Sequence, residues 1–411
     1  MKKFLSLLLV AALALTLTFS FVACSNETAN GDEAGENNAE ATNDIKVGFI
    51  FLHDENSTYD KNFIDAAVAV QNKLGLTNDQ VIMVTGIPEG SECYDAAIDL
   101  IDQGCTLIFA DSFGHEPFLL DAARENPDVQ FCHATGTMAH TAGLANFHNA
   151  FASIYEGRFL AGIAAGMKLN EMIANGDFTA EEALIGYVGA HPYAEVKSGY
   201  TSFFLGARSV CPTATMEVQF TGSWYDEALE REAANVLIGR GAKLVSQHAD
   251  SMGAPSACEE AGIPNVSYNG TTIEACPNTY IISSRIDWAP YFELMITAVQ
   301  NGTEIPTDWC GGIKEGSVKL TDLNTAVAAA GTQEAIDAAK AQFEEGTLKV
   351  FATDTFTVGG VALDEETLAD VDTDDTWTAE TKVVSEGYYH ESEFRSAPYF
   401  DINIDGITLL N

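Results

Sequence analysis

The chain has 411 residues, 60 of them acidic and 20 basic, for a net charge of −40. A surface that negative repels phosphate backbones and anionic headgroups, so nucleic acid is not among the expected partners. Hydrophobic content of 46% with 34 glycines is ordinary for a globular α/β chain, and at roughly 150 residues per domain the length allows two or three units.

The N-terminus reads as an address. Lys2 and Lys3 precede an apolar run from Phe4 to Phe21, and "FVAC" ends at Cys24. The stretch resembles a bacterial lipoprotein signal, in which cleavage before Cys24 leaves that cysteine to carry lipid. An ordinary signal peptide or a single membrane helix is the competing reading, since the run is just long enough to span. The next residues, "SNETANGDEAGENNAEATND", hold no aromatic or large aliphatic side chain and read as a flexible tether. The expected boundaries are a signal at 1–23 and a tether at 24–44. No second segment is apolar enough to cross a bilayer.

The first strand, "VGFIFLHD" from Val47, returns at Ile185 as "IGYVGAHP". "DQVIMVTG" ends at Gly86 and "TMEVQFTG" at Gly222. "IDLIDQGCTLIFADS" carries a helix-stopping Gly104, and "ANVLIGRGAKLVSQHADS" carries Gly241 in the same place. Three features recur in one order at nearly one spacing. Each is a strand, an amphipathic helix, a glycine stop and another strand, which indicates βαβ units and a parallel sheet. The predicted fold class is α/β: two doubly wound lobes with a hinge and a cleft between them. Lobe 1 is expected at 45–150 and lobe 2 at 151–284. A return through the hinge follows at 285–353, and a C-terminal extension at 354–411 is expected to pack on one lobe.

Ligands of such sheets bind beyond the carboxyl ends of the strands. The corresponding loops are "HDENSTY" (53–59), "DSFGH" (111–115), "HATG" (133–136), "AHPYAE" (190–195), "TGSWYDE" (221–227), "QHADS" (247–251) and "YNGTT" (268–272), with "SRIDWAPY" (284–291) on the return. Rings mixed with carboxylates and amides suit a flat polar ligand. Asp111 and Asp250 end twin strands and are candidate contacts, against a loop-turn or capping role. Trp288 and Tyr291 lie where the chain recrosses, so hinge packing competes with ligand contact. Trp224, between a strand and a helix, is a candidate stacking ring.

"YEGRFLAGIAAG" (155–166), "ENPDVQF" (125–131), "IGYVGAHP", "FTGSWYDE" and "GARSVCPTA" (206–214) together resemble the basic membrane protein family. Its members are lipoprotein solute-binding components of ABC importers whose characterised members bind purine nucleosides or related purines. The resemblance runs from about Ile45 to Phe356. It implies a periplasmic-binding-protein-like type I fold with a three-strand hinge, ligand capture by lobe closure, and an ABC permease as partner. Carried over by position, the family's ligand aspartate falls at Asp54. One stacking ring falls at Phe63, or at Tyr59 under a sub-branch alignment, and the opposing ring falls at Trp224. Three positions depart from the family: Thr135 replaces an aspartate, Asn269 stands near the ribose-binding acid, and Ile286 replaces the hinge lysine. These losses bring a free purine base or another planar solute into competition with a nucleoside.

Bland roles stand beside several of these. Phe63 lies on the stripe Phe63, Ala67 and Val70, which is core spacing. Asp54 precedes Ser57 and Thr58, which offer N-cap hydroxyls. His53 and His191 each end a strand with no ligand-spaced companion, so no metal site is expected. "DVDTDD" (370–375) has Asp375 where a calcium loop needs glycine and Thr381 where it needs glutamate, and reads as a solvated turn. Cys93, Cys105, Cys132, Cys211, Cys258, Cys276 and Cys310 show no C-x-x-C pairing and read mostly as small buried hydrophobes. Nucleophile-elbow, zinc-protease, phosphate-loop and dinucleotide motifs are missing, so an enzyme and a cofactor are not expected.

The sequence thus points to an extracytoplasmic, lipid-anchored receptor. It would close on a purine base or nucleoside and hand it to a permease. A sensor or adhesin of the same fold, a receptor for a non-purine planar solute, and a nucleoside-processing enzyme are the alternatives.

Overall fold

A computed structural model describes residues 45–372 and 378–411. Cys24, the signal and tether at 1–44, and residues 373–375 of the acidic turn lie outside the described residues.

Strand β1 (Val47–Ile50) is buried along its whole length, as its unbroken apolar run requires of a strand covered on both faces. Helix α1 (Thr58–Leu74) starts at Ser57, whose hydroxyl accepts the Asp60 amide, and stops at Gly75, where φ is +67°. It buries Phe63, Ala67 and Val70, the stripe read from its spacing. Next come β2 (Val81–Val84), α2 (Ser91–Asp102), β3 (Leu107–Ala110), α3 (Glu116–Glu125), β4 (Gln130–Ala134), α4 (Ala139–Ala142) and β5 (Phe147–Ala152).

The second lobe repeats the plan. Its elements are α5 (Ile154–Asn175), β6 (Leu184–Gly189), α6 (Ala194–Val210), β7 (Thr215–Phe220), α7 (Glu227–Gly239), β8 (Leu244–His248), α8 (Gly253–Ala261), β9 (Asn265–Tyr268) and β10 (Tyr280–Ile286). The sheets run β2-β1-β3-β4-β5 and β7-β6-β8-β9-β10, all parallel and in the same order. The repeat in the sequence is a repeat of topology.

The chain passes between lobes three times. It leaves lobe 1 after β5 and returns after β10 through α9 (Ala289–Asn301), which packs on α1. β11 (Asp308–Gly311) joins lobe 1 beside β5, and β12 (Val318–Leu320) then pairs antiparallel with β10 in lobe 2. Helix α10 (Thr332–Glu344) lies on α5.

The C-terminal residues form two short antiparallel pairs, β13 (Leu368–Ala369) with β14 (Thr381–Lys382) and β15 (Val384–Ser385) with β16 (Tyr388–Tyr389), before β17 (Ile407–Leu409). The extension does not keep to one lobe. β17 adds a parallel edge strand to β7 in lobe 2, while the Ser396 amide and hydroxyl reach Asp308 of β11 in lobe 1 at 2.9 and 2.7 Å. Cys310 of the same strand also reaches Ser392, at 3.6 Å, and sequence spacing gives no reason to pair either residue with the extension.

The lobes stand closed on each other. The Thr58 amide and hydroxyl both donate to the Asp250 carbonyl, at 3.3 and 3.1 Å. Asn62 donates to the Asn269 carbonyl at 2.7 Å.

Candidate functional site

A narrow cleft, about 410 Å³ when its open mouth is included, lies where the two sets of strand ends meet. Each lobe supplies its βα loops, as a parallel sheet dictates. Lobe 1 contributes Leu52, His53, Tyr59 and Asp60 after β1, Ser112 and Phe113 after β3, and Thr135 after β4. Lobe 2 contributes Glu195 after β6, Trp224 after β7, His248 and Asp250 at the end of β8, and Tyr268 and Asn269 at the end of β9.

Thr135 and Asn269 occupy matching places, each following the fourth strand of its lobe and preceding a glycine. Both adopt the left-handed backbone, with φ of +66° and +62°. For a β-branched threonine this is a rare conformation, held only when surroundings impose it. The surroundings are visible. Glu116 of α3, almost fully buried, accepts the Thr137 and Met138 amides at 2.8 Å each and the Asn149 side chain at 2.9 Å. Burial raises its carboxyl, and those three donors pull it back down. In lobe 2 a buried acid steadies a different loop, the one after β8. Buried Glu230 of α7 accepts the Ser251 amide at 3.2 Å beside Asp250, and its carboxyl is pushed up to about 7, by burial first.

Below the lobe 2 wall lies Arg158, fully buried. Its guanidinium donates to the Gln247 and Ser267 carbonyls and to the Tyr187 and Ser246 hydroxyls, and it lies 5.0 Å from the Tyr268 ring centre. It fixes the ends of β8 and β9, which present His248 and Tyr268 to the cavity.

Of the residues singled out in the sequence, the structure brings Tyr59, Trp224, Asp250 and Asn269 to the cavity. Trp224 is half-buried, with His191 against it at 4.9 Å and Tyr193 at 6.0 Å. Asp250 Oδ1 accepts the Asn269 amide nitrogen at 2.9 Å, which leaves Asn269 Oδ1 buried and without a partner. An orphaned acceptor on a cavity wall is a place for a ligand donor. Burial pushes the Asp250 carboxyl well above its ordinary range, assisted by the nearby Glu230, Asp60 and Glu195 carboxyls and opposed by Asn269. Burial also lowers the His248 imidazole.

Four of the singled-out residues lie elsewhere. Phe63 and Trp288 stack on each other at 4.4 Å inside lobe 1, both nearly inaccessible, because α9 lays its first turn on α1. Asp111 is buried one layer behind the wall, where its carbonyl accepts the Tyr59 hydroxyl at 2.6 Å. Asp54 is exposed and closes its own turn, accepting the Asn56 amide at 3.0 Å and side chain at 2.8 Å, which hold its carboxyl below the usual range. Asp54→Ala is therefore expected to leave ligand affinity within about twofold of the parent by calorimetry, since a surface turn contributes within about 0.5 kcal/mol.

The carboxylate that does line lobe 1 is Asp60. It accepts the His53 amide at 2.7 Å and the Ser57 hydroxyl at 2.6 Å, with His53 Nδ1 at 3.4 Å. Burial pushes Asp60 up, but these donors outweigh it and leave the carboxyl below its ordinary value. The spacing Ser57-x-x-Asp60 carries the capping signal that marks this position. His248 and Tyr268 sit inside loops already marked as strand ends, while Glu195 follows from α6 starting one turn beyond β6.

Apart from the cavity, Asp370, Asp372 and Glu380 bring carboxylate oxygens within 4.8 Å of one another. They are half-exposed to exposed, and Glu380 is already engaged by the Val371 and Asp372 amides and Thr381. Among the described residues no helix is long and apolar enough to cross a membrane.

Comparison with known proteins agrees with this geometry. The family described as ABC transporter substrate-binding protein PnrA-like matches residues 52–349. A purine-binding protein of Brucella abortus is 32% identical over 287 residues, 69% of this chain and 76% of that protein. A Haloferax volcanii protein named as an ABC transporter glucose-binding protein is 31% identical over 250 residues, covering 61% of this chain and 60% of the relative. Solved ABC solute-binding proteins from Aeropyrum pernix and Conexibacter woesei share the fold. Their TM-scores are 0.63 and 0.60 at 17% and 19% identity, over 75% and 74% of this chain and 93% and 98% of theirs. The two lobes and cleft are those of a periplasmic-binding-protein-like solute receptor. The chain belongs to the PnrA-like family of ABC transporter substrate-binding proteins.

Proposed function

We propose that this receptor captures a purine base or nucleoside between its lobes and delivers it to an ABC permease from the outer face of a membrane, held there by lipid on Cys24. The observation that carries the purine assignment is the wall chemistry of the closed cleft. Tyr59 and Phe113 on one side and Trp224 on the other offer rings, and Asp250 with Asn269 offers acceptors for ring and amino N–H groups. The naming of the Brucella relative supports the same class.

The wall also says what is refused. Asp60, Asp250 and Glu195 line the cavity, and no lysine or arginine does among the described residues. A phosphate would meet carboxyls and find no cation, so nucleotides are excluded while their bases and nucleosides are not. Binding is coupled to closure because each lobe supplies half of the wall, so a ligand bridging both favours the closed population.

A hexose is the second reading, favoured by the name of the Haloferax relative. Calorimetry on the full chain with adenine, guanine, their nucleosides, the matching monophosphates and glucose separates the two. Heat with a base or nucleoside and none with a monophosphate or glucose is expected. Heat with glucose alone rejects the purine assignment and keeps the receptor.

A further inference from the structure

The lobe 1 wall has a second layer that capture alone does not explain. Asp111, at the carboxyl end of β3, is fully buried. Its Oδ1 accepts the Leu52 amide at 3.1 Å and its carbonyl accepts the Tyr59 hydroxyl, but Oδ2 has no partner as a carboxylate oxygen. Asp60 adjoins it: the Oδ1 atoms of Asp111 and Asp60 accept the consecutive amides of Leu52 and His53, at 3.1 and 2.7 Å.

Among the described residues no cation balances Asp111. The groups that face it are Asp60 and Tyr59 from α1, Cys93 from α2 and His115 from the turn before α3. His115 Nδ1 lies 3.8 Å from Asp111 Oδ1, yet that ring is neutral. Its Nε2 is 2.8 Å from the Ile87 carbonyl and must carry the proton, while Nδ1 accepts the Ser112 amide at 3.4 Å and must not. Burial holds the imidazole down to about 4. Burial likewise raises the Cys93 thiol and keeps it neutral. Across the cleft stand the further carboxyls of Asp250 and Glu195 and the His248 imidazole, which burial lowers. His53, whose Nδ1 lies 3.4 Å from Asp60 Oδ2 and whose imidazole Asp60 raises, offers its charge to Asp60 and not to Asp111, and two adjoining carboxyls of which one lacks a counter-charge do not both ionise.

We propose that Asp60 and Asp111 hold one proton between them, carried on Asp111 Oδ2 and donated to Asp60, which makes Asp111 the positioning residue for Tyr59 and Asp60 on the cleft wall. The proton turns the orphaned oxygen of Asp111 into a donor. It also completes the ring of donors around Asp60 and ties the ends of β1 and β3 to the start of α1. The charges agree with this geometry: burial, then the Asp60 charge, push the Asp111 carboxyl well above the carboxylate range. The pair titrates as a unit.

The sign of the pH effect follows. An acid held neutral in the fold and ordinary in the unfolded chain binds its extra proton only when folded. Stability therefore falls as pH rises above the ordinary carboxylate range, up to the raised folded value.

The test uses the full chain with ¹³C-carboxyl aspartate, without ligand, in parent and Asp111→Asn. A carboxyl signal at the protonated position at pH 7 that vanishes in Asp111→Asn is expected. Asparagine supplies an amide donor where the acid supplied O–H, so Asp111→Asn raises the melting midpoint at pH 8 more than at pH 5, whereas Asp111→Ala lowers it at both. Where a purine binds the parent, Asp111→Asn should hold affinity within about threefold and Asp111→Ala weaken it about tenfold or more. An Asp111 carboxyl that titrates in the ordinary range, or an asparagine variant as weak as alanine, overturns the proposal. Only the affinity arm rests on the purine reading; if no purine binds the parent, that reading fails while the carbon signal and the melting arms still decide the proton.

Discussion

Trp224→Ala is expected to weaken capture of a purine by about tenfold or more, because stacking one base on one ring is worth about 1–3 kcal/mol. The indole sits on the loop after β7, half-buried, supported from behind by His191 and Tyr193 rather than by lobe 1. Its removal leaves those supports in place and takes away part of the cavity wall. The loss should therefore appear in affinity and not in the melting midpoint of the ligand-free protein. Trp224→Phe, which keeps a smaller face, should recover most of the binding. An alanine variant with unchanged affinity would remove Trp224 from the site.

The second large effect lies far from the cleft. Gly162→Ala is expected to lower stability by about 3 kcal/mol, at the upper end of what overpacking costs. Helices α5 and α6 cross here with their backbones nearly touching. A Cβ on Gly162 would fall 2.0 Å from the Phe203 carbonyl oxygen, and one on Gly206 would fall 2.1 Å from the Phe159 carbonyl oxygen. Backbone atoms cannot swing aside as a flexible side chain does, so the helices must separate. The control is Gly239→Ala near the end of α7, where nothing lies within 4 Å; it should be neutral or slightly stabilising, by about 0.5–1 kcal/mol. Denaturant melts of both variants check the contrast. Equal effects would refute the close crossing as the reason these glycines are glycines.

That crossing also explains why the fold was legible. Gly162 and Gly166 lie in "YEGRFLAGIAAG" and Gly206 opens "GARSVCPTA", so two of the five motifs that carry the family resemblance meet in a helix–helix contact. The doubled lobe was readable because parallel strands are apolar throughout and their helices end at glycines such as Gly75 and Gly262, both left-handed.

The site was readable only as loops. The rule that ligands sit at strand ends placed every contributing loop of the cavity correctly, yet it does not say which side chain of a loop turns inward. Asp54 and Asp60 differ by six positions, and local hydrogen bonding decided between them: Asn56 satisfies Asp54 at the surface, while Asp60, in the first turn of α1, accepts the Ser57 hydroxyl and the His53 amide and turns inward. Phe63 went to the core with Ala67 and Val70, as their helical spacing indicates, and Trp288 joined it because α9 returns onto α1, a long-range contact with no local sequence mark. The C-terminal extension spans both lobes for the same kind of reason, through Asp308 and Ser396.

Native mass spectrometry of the full chain, purified without added ligand and then released by denaturation, bears most directly on what the closed cleft holds. The account expects a purine base or nucleoside, present in parent protein and depleted in Trp224→Ala. Recovery of a sugar or a phosphorylated compound from parent protein, retained in Trp224→Ala, would contradict it.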